Sequence, residues 1–272
     1  MVVVTHFFYI FELCILELLN LSMKNVIAVF TDDTPYGQAA LVHAQKLAQI
    51  FDTELNVFSL HKKIDLHTVF VGAEDGKTLC FVMPVGQSKE NTFFNVTNAK
   101  KWIKKSRVPV ITVGQNYPNN NNNEYQQIIL PLDINCQEKE LALWASYFPA
   151  YSQQNRPFIP KEDTTIHIIY NQYKDVLLRN KVQNNVDFVI KLFDNLEVSY
   201  KLHSFTKINN IHIFGLEFAK KIKNSALLYL MPKYSSLIDI FFGSVSSSLL
   251  KGKDGVPVIY LNAREDNFML CR

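Results

Sequence analysis

One spacing rule occurs twice in this chain: Met-Pro, eight residues, Phe-Phe, thirteen residues, Val-Pro-Val-Ile. The first copy is Met83-Pro84, Phe93-Phe94 and Val108-Pro109-Val110-Ile111. The second is Met231-Pro232, Phe241-Phe242 and Val256-Pro257-Val258-Ile259. Eight identities at matched spacing, with no gap between landmarks, mark an internal duplication. A repeat this long predicts two similar domains rather than a short-period solenoid. The length of 272 residues is enough for two modest cores.

The two units are separated by a polar tract running from Pro118-Asn119 through Asn123, which has nothing to bury and reads as a linker. The expected division is an N-terminal extension over 1–22, a shortened domain over 23–116, a linker over 117–125, a complete domain over 126–264 and a tail over 265–272. Residues 1–22 are strongly apolar but carry no Lys or Arg, so they lack the basic start of a signal peptide. Glu12 and Glu17 interrupt the run, which disfavours a membrane span. Met23 opens MKNVIAVFTDD, a natural domain start, so the preceding segment reads as an upstream start-codon assignment.

Each unit opens with an apolar run ending in aspartate, Val26–Asp32 and Ile128–Asp133. Continuous aliphatic runs of this length suit parallel strands buried on both faces. Helical spacing follows, through Ala40, Leu41, Ala44, Leu47, Ala48 and Phe51 in one unit and Leu141, Trp144, Ala145 and Phe148 in the other. The second unit then alternates: strand 165–170, helix 175–193, strand 196–203, a mostly helical stretch 208–223, strand 226–231, helix 235–251 and strand 256–261. That alternation predicts an α/β fold with helices on both faces of a parallel sheet. In the first unit Asp32 to Met83 spans 51 positions against 98 from Asp133 to Met231. The missing 47 residues correspond to about one helix–strand–helix. Segments 55–60 and 79–85 remain strand-like, and the thin first sheet is expected to lean on its sister.

A net charge of +3 without an arginine-rich stripe argues against nucleic acid; Lys100, Lys101, Lys104 and Lys105 fit the wet face of one helix. Cys14, Cys80, Cys136 and Cys271 lie far apart and form neither a zinc spacing nor a disulfide framework, so unpaired thiols in a reducing compartment are expected. Hydrolytic elbows, zincin motifs and a phosphate-binding P-loop are missing from the sequence. His43, His61, His67, His167, His203 and His212 share no metal-ligand spacing, and His167 and His203 are expected to be structural. Phe93-Phe94 and Phe241-Phe242 read as core or seam packing. No catalytic residue is therefore assigned.

The strand ending in aspartate, the Ala-containing helix after it, the Gly243-Ser244-Val245-Ser246 segment and the Val256-Pro257-Val258-Ile259-Tyr260 strand together resemble the universal stress protein family. The resemblance covers nearly all of 24–262 and implies two tandem flavodoxin-like parallel-sheet sandwiches, the first shortened. It implies pairing of the two last strands within the chain, with a homodimer as a further association and no membrane. It also implies an adenine-nucleotide site, for ATP or AMP, at the carboxyl ends of the strands. Carried over by resemblance, Asp133 and Asp32 match the aspartate at the adenine end, while Gly243, Ser244 and Ser246 match the close of the G-x2-G-x9-G-[ST] phosphate segment. The residues themselves favour Asp133 and Asp32 as caps of the helices that follow, and equally allow the Gly-Ser segment as a helix-start turn. The earlier glycines of the phosphate segment are absent, since 216–242 contains none, and Met231, Pro232 and Lys233 stand in the loop. In the first unit Asn95-Val96 replace Gly243-Ser244. A non-enzymatic, cytoplasmic stress-response module acting by binding or association is the resulting expectation; nucleotide binding with weak hydrolysis, or a scaffold without a small-molecule ligand, are its alternatives.

Overall fold

A computed structural model describes residues 25–60, 64–72, 77–86, 95–114, 125–154, 164–232, 245–250 and 255–262. The strands are β1 (Val26–Thr31), β2 (Glu54–Ser59), β3 (Thr78–Pro84), β4 (Val110–Val113), β5 (Gln127–Leu132), β6 (Thr165–Asn171), β7 (Tyr200–Phe205), β8 (Ser225–Met231) and β9 (Val258–Asn262). The helices are α1 (Pro35–Phe51), α2 (Leu66–Gly72), α3 (Val96–Lys105), α4 (Lys139–Gln154), α5 (Val176–Asn195), α6 (Ile211–Lys220) and α7 (Val245–Leu250).

All nine strands join one sheet in the order β2-β1-β3-β4-β9-β8-β5-β6-β7. Every pairing is parallel except β4 with β9, which run antiparallel with Val110 opposite Tyr260, Ile111 opposite Ile259 and Thr112 opposite Val258. The two Val-Pro-Val-Ile segments thus lie side by side at the middle of the sheet. Each enters its strand through proline, whose missing N–H falls outside the ladder.

Alternation along the strands sorts the core into two layers. Ile27, Val29, Ile128 and Leu130 pack against the apolar faces of α1, α4 and α5. Ala28, Phe30, Ile129 and Tyr229 pack on the other side, against α2, α3, α6 and α7. Both layers cross from one half to the other. Ala44 and Ala145, at the same distance beyond Asp32 and Asp133, have no exposed surface. Small side chains there let α1 and α4 approach the sheet, and Phe51 meets Phe148 with ring centroids 5.4 Å apart. Tyr125 stacks on Phe148 at 4.7 Å, and its hydroxyl bonds His43 Nε2 at 2.5 Å.

Several expectations are corrected. Among the described residues the first half lacks one helix and one strand, the counterparts of α5 and β7, rather than helix–strand–helix; its crossover before β3 keeps a seven-residue helix, α2. Strand β7 starts at Tyr200 rather than Leu196, because Leu196 and Val198 close α5. Their N–H groups donate to Leu192 O and Phe193 O, with Glu197 between them at φ 53°. That is a left-handed helix end, which satisfies carbonyls the helix leaves open. Helix α3 buries Ala99 and Ile103 and exposes Lys101 and Lys105, whose ammonium groups lie 5.5 and 5.4 Å from the Trp102 ring centroid. Cys80 is a buried free thiol, whereas Cys136 is disulfide-bonded, so the expectation of unpaired cysteines fails at Cys136. Phe93-Phe94, Phe241-Phe242 and the Asn tract lie outside the described residues. Among the described residues no helix is long and apolar enough to cross a membrane.

Candidate functional site

Open parallel sheets bind ligands at the carboxyl ends of their strands, where the strand order reverses. Here that point falls between β1 and β3 in the first half and between β5 and β8 in the second.

In the first half Asp32 stands just beyond β1. Its Oδ1 accepts from the Thr34 N–H at 3.1 Å and from the Thr34 hydroxyl. Thr34, not Asp32, is the cap of α1, its Oγ1 accepting from Gly37 N at 3.2 Å. The expectation of Asp32 as the helix cap is corrected: it holds the capping threonine. The half-buried Tyr36 ring lies against the end of β3. A Cβ placed on Gly86, just past β3, would lie 3.0 Å from Tyr36 Cζ, so the ring rests on that strand end.

The second half has a polar cluster at the same place. Asp133 leaves β5 half-buried, with Oδ1 accepting from the Tyr173 hydroxyl at 2.6 Å. Its main-chain N–H donates to Glu138 Oε2 at 2.5 Å. Its carbonyl accepts from Asn185 Nδ2 at 2.7 Å, and the same amide reaches Asn135 O at 3.1 Å. Asp133 does not cap a helix either; Asn135 accepts from Gln137 N at 3.1 Å and starts the 3-10 turn over Cys136–Glu138. Glu138, buried at 3 % exposure, turns its other oxygen to His212 Nε2 at 3.2 Å. Gly215 allows that approach: a Cβ there would lie 2.8 Å from Pro131 Cγ, so only glycine lets α6 settle on β5 and bring His212 down to Glu138. The His212 ring also stands edge-on to Tyr229 at 5.2 Å.

Burial opposes charge on His212, but the Glu138 carboxylate, its hydrogen bond and Asp133 outweigh it and raise the imidazole pKa. Burial, followed by the bond to Asp133 and its charge, pushes the Tyr173 hydroxyl up to about 12. Tyr173 is therefore a fixed donor, and Asp133, Glu138, Tyr173 and His212 are joined in one hydrogen-bonded cluster.

Of the residues assigned by resemblance, Asp133 lies in this cluster and Asp32 lies at the corresponding point of the other half. Ser246 is the second residue of α7 and has no exposed surface. Gly243 and Ser244, with Lys233, lie outside the described residues. Glu138, Tyr173, Asn185 and His212 had no motif to reveal them. His167 and His203, scattered in sequence, meet across β6 and β7: His167 Nδ1 lies 2.9 Å from His203 Nε2, and His167 Nε2 lies 2.6 Å from Gln127 Oε1. Burial, then His203 and Lys201, push His167 down to about 4, which suits a neutral structural pair. Among the described residues no group of three or more His, Cys, Asp or Glu could hold a metal ion.

No protein-family model matches the chain. No curated protein matches it either. Two solved structures from Pseudomonas aeruginosa superpose over nearly its whole length. One is the functionally unknown protein PA1789 of strain PAO1, with TM-score 0.56, 11% identity, and 92% of this chain and 96% of that chain covered. The other is a proposed universal stress protein of strain UCBPP-PA14, with TM-score 0.53, 10% identity, and coverage of 91% and 96%. At these identities the likeness shows the fold alone: a mostly parallel, flavodoxin-like α/β sheet of the kind found in universal stress protein-type structures.

Proposed function

We propose that this chain is a tandem universal stress protein-like module that acts in a stress response by binding or association, without turnover and without an adenine nucleotide. Its two halves, one abridged, pair within the chain through β4 and β9. The observation that carries this reading is the engagement of Asp133. The residue that resemblance places at adenine has its carboxylate taken by Tyr173 and its backbone taken by Glu138 and Asn185. A nucleotide would bring two or more phosphate charges close to the Asp133 and Glu138 carboxylates, next to a loop without the usual glycines. In the first half, the Tyr36 ring rests against Gly86 just past β3.

Thermal unfolding in millimolar ATP or AMP tests the reading. No rise in Tm is expected. A ligand at 100 times its Kd adds about 2.7 kcal/mol, so a saturable rise that disappears in Asp133→Ala would overturn it in favour of nucleotide binding.

A further inference from the structure

The first half leaves bare a flank that the second half covers. Counted from Asp32 and Asp133, Leu41 and Ala48 of α1 stand where Ala142 and Pro149 stand in α4. On the neighbouring strands, Leu55 and Val57 of β2 lie opposite Ile27 and Val29, as Ile166 and Ile168 of β6 lie opposite Ile128 and Leu130. Ala142, Ile166 and Ile168 have no exposed surface and Pro149 is buried, because α5 brings Val182, Val186 and Val189 into the same core layer. The first half has no counterpart of α5 among the described residues. There Leu41, Ala48 and Leu55 are only half-buried, and Val57 is 47 % exposed. These four side chains make one surface. Leu41, Ala48 and Leu55 pack on the margin of the core layer under α1, and Val57, two residues after Leu55, points to the same face. Leu41 and Ala48 lie on the side of α1 turned away from His43, which faces Tyr125 of the second half, so they look toward β2 at the outer edge of the sheet.

The chain carries a segment suited to this surface directly before β1. Val4, Phe7, Phe11, Cys14, Leu18 and Leu21 recur at alternating steps of three and four, the spacing of one apolar helix stripe. Thr5, His6, Glu12, Glu17 and Asn20 all fall about 90° or more from the centre of that stripe at 100° per residue. Helix α5 has 20 residues and runs from the carboxyl ends of the strands back to their amino ends, between β6 and β7. Residues 1–22 match it in length, and because β1 begins at Val26 they lead to the same amino end. Residues 23–25 reach about 10 Å when extended, enough to pass from the sheet to a helix layer. So short a tether makes the contact intramolecular, which favours this segment over any separate partner.

We propose that residues 1–22 dock as an amphipathic helix on Leu41, Ala48, Leu55 and Val57, in the place that α5 holds in the other half. The abridged half regains its missing outer helix from the front of the chain instead of from between its strands. This gives the N-terminal extension a place in the fold, which an upstream start-codon assignment would not. The inference stands apart from the binding reading above and concerns how the first half is completed.

Site-resolved alkylation of the full chain by iodoacetamide tests it, with Val57→Cys as the probe and Leu202→Cys, at the opposite edge of the sheet, as the reference. The two side chains are 47 % and 45 % exposed, so without a docked segment their rates should be alike, and neither replacement disturbs a buried position. Labelling at least tenfold slower at Val57→Cys is expected. Adding Phe7→Asp and Phe11→Asp should bring the two rates together, whereas Tyr9→Asp, on the polar side, should leave them apart. Equal rates from the start, or slow labelling that Phe7→Asp and Phe11→Asp do not change, would overturn the proposal. So would protection that grows with protein concentration, which assigns the surface to a second copy, or a native protein that begins at Met23.

Discussion

His43 and His212 are both imidazoles removed from water, yet their surroundings push them in opposite directions. His43 on α1 has no exposed surface; burial, then the Lys46 charge, holds its pKa down to about 3, and Tyr125 is its hydrogen-bond partner. His212 faces Glu138 and Asp133 and is raised. For His43 the unfolded chain, with a pKa of about 6.5, binds a proton that the native state refuses. Stability should therefore fall as pH drops below about 6.5, by up to about 1.4 kcal/mol per pH unit, until the folded pKa is reached. His167 adds to the same acid-side loss. His212 has the reverse sign: its contribution is present below its unfolded pKa and fades as pH rises through its folded value. Urea unfolding of the wild type and His43→Gln between pH 7 and pH 4 checks this, with the shallower acid slope expected in the variant. Equal slopes would show that His43 is not held neutral.

At the scale of elements, β9 does more than complete a ladder. The Asn262 amide at its end donates to Ile103 O at 2.5 Å and Ser106 O at 2.7 Å, closing the C-terminal end of α3 in the other half. Asn262→Ala should cost about 1–2 kcal/mol by leaving those carbonyls to compete for water, and should speed amide exchange in the last turn of α3 before that of β3. Uniform exchange would contradict a local cap. The strands, α1 and α4 were legible in the sequence because their signals are local: aliphatic runs, Ala at matched offsets, and aspartate at the strand ends. The start of β7 was not, since Leu196 and Val198 look like strand residues but serve as a helix stop. The site was half legible. Asp133 could be found from its place after β5, but Tyr173 and Asn185 reach it from 40 and 52 residues away, and no spacing rule announces such a meeting. Gly215, which lets His212 approach, reads in sequence only as a weak point of a helix.

For the whole molecule, the nine strands make one sheet whose two core layers run from one half into the other, with β4 and β9 at the join. The first half, with four strands among the described residues, buries its apolar faces because the second half continues them: Phe51 meets Phe148, and His43 meets Tyr125. Two halves built this way should unfold together, since neither keeps its core when the seam opens. The chain contains two tryptophans, one in each half. Trp102 stacks on Phe70 at 5.4 Å, and Trp144 stands edge-on to Tyr147 at 5.3 Å. Fluorescence-detected urea unfolding of Trp102→Phe and Trp144→Phe, each reporting the half that keeps its indole, tests this most directly. Coincident transitions, at midpoints matching each variant's own far-ultraviolet circular dichroism, are the expected result. An early transition of the first half, with the second still folded, would show two separate cores and contradict a sheet held together across β4 and β9.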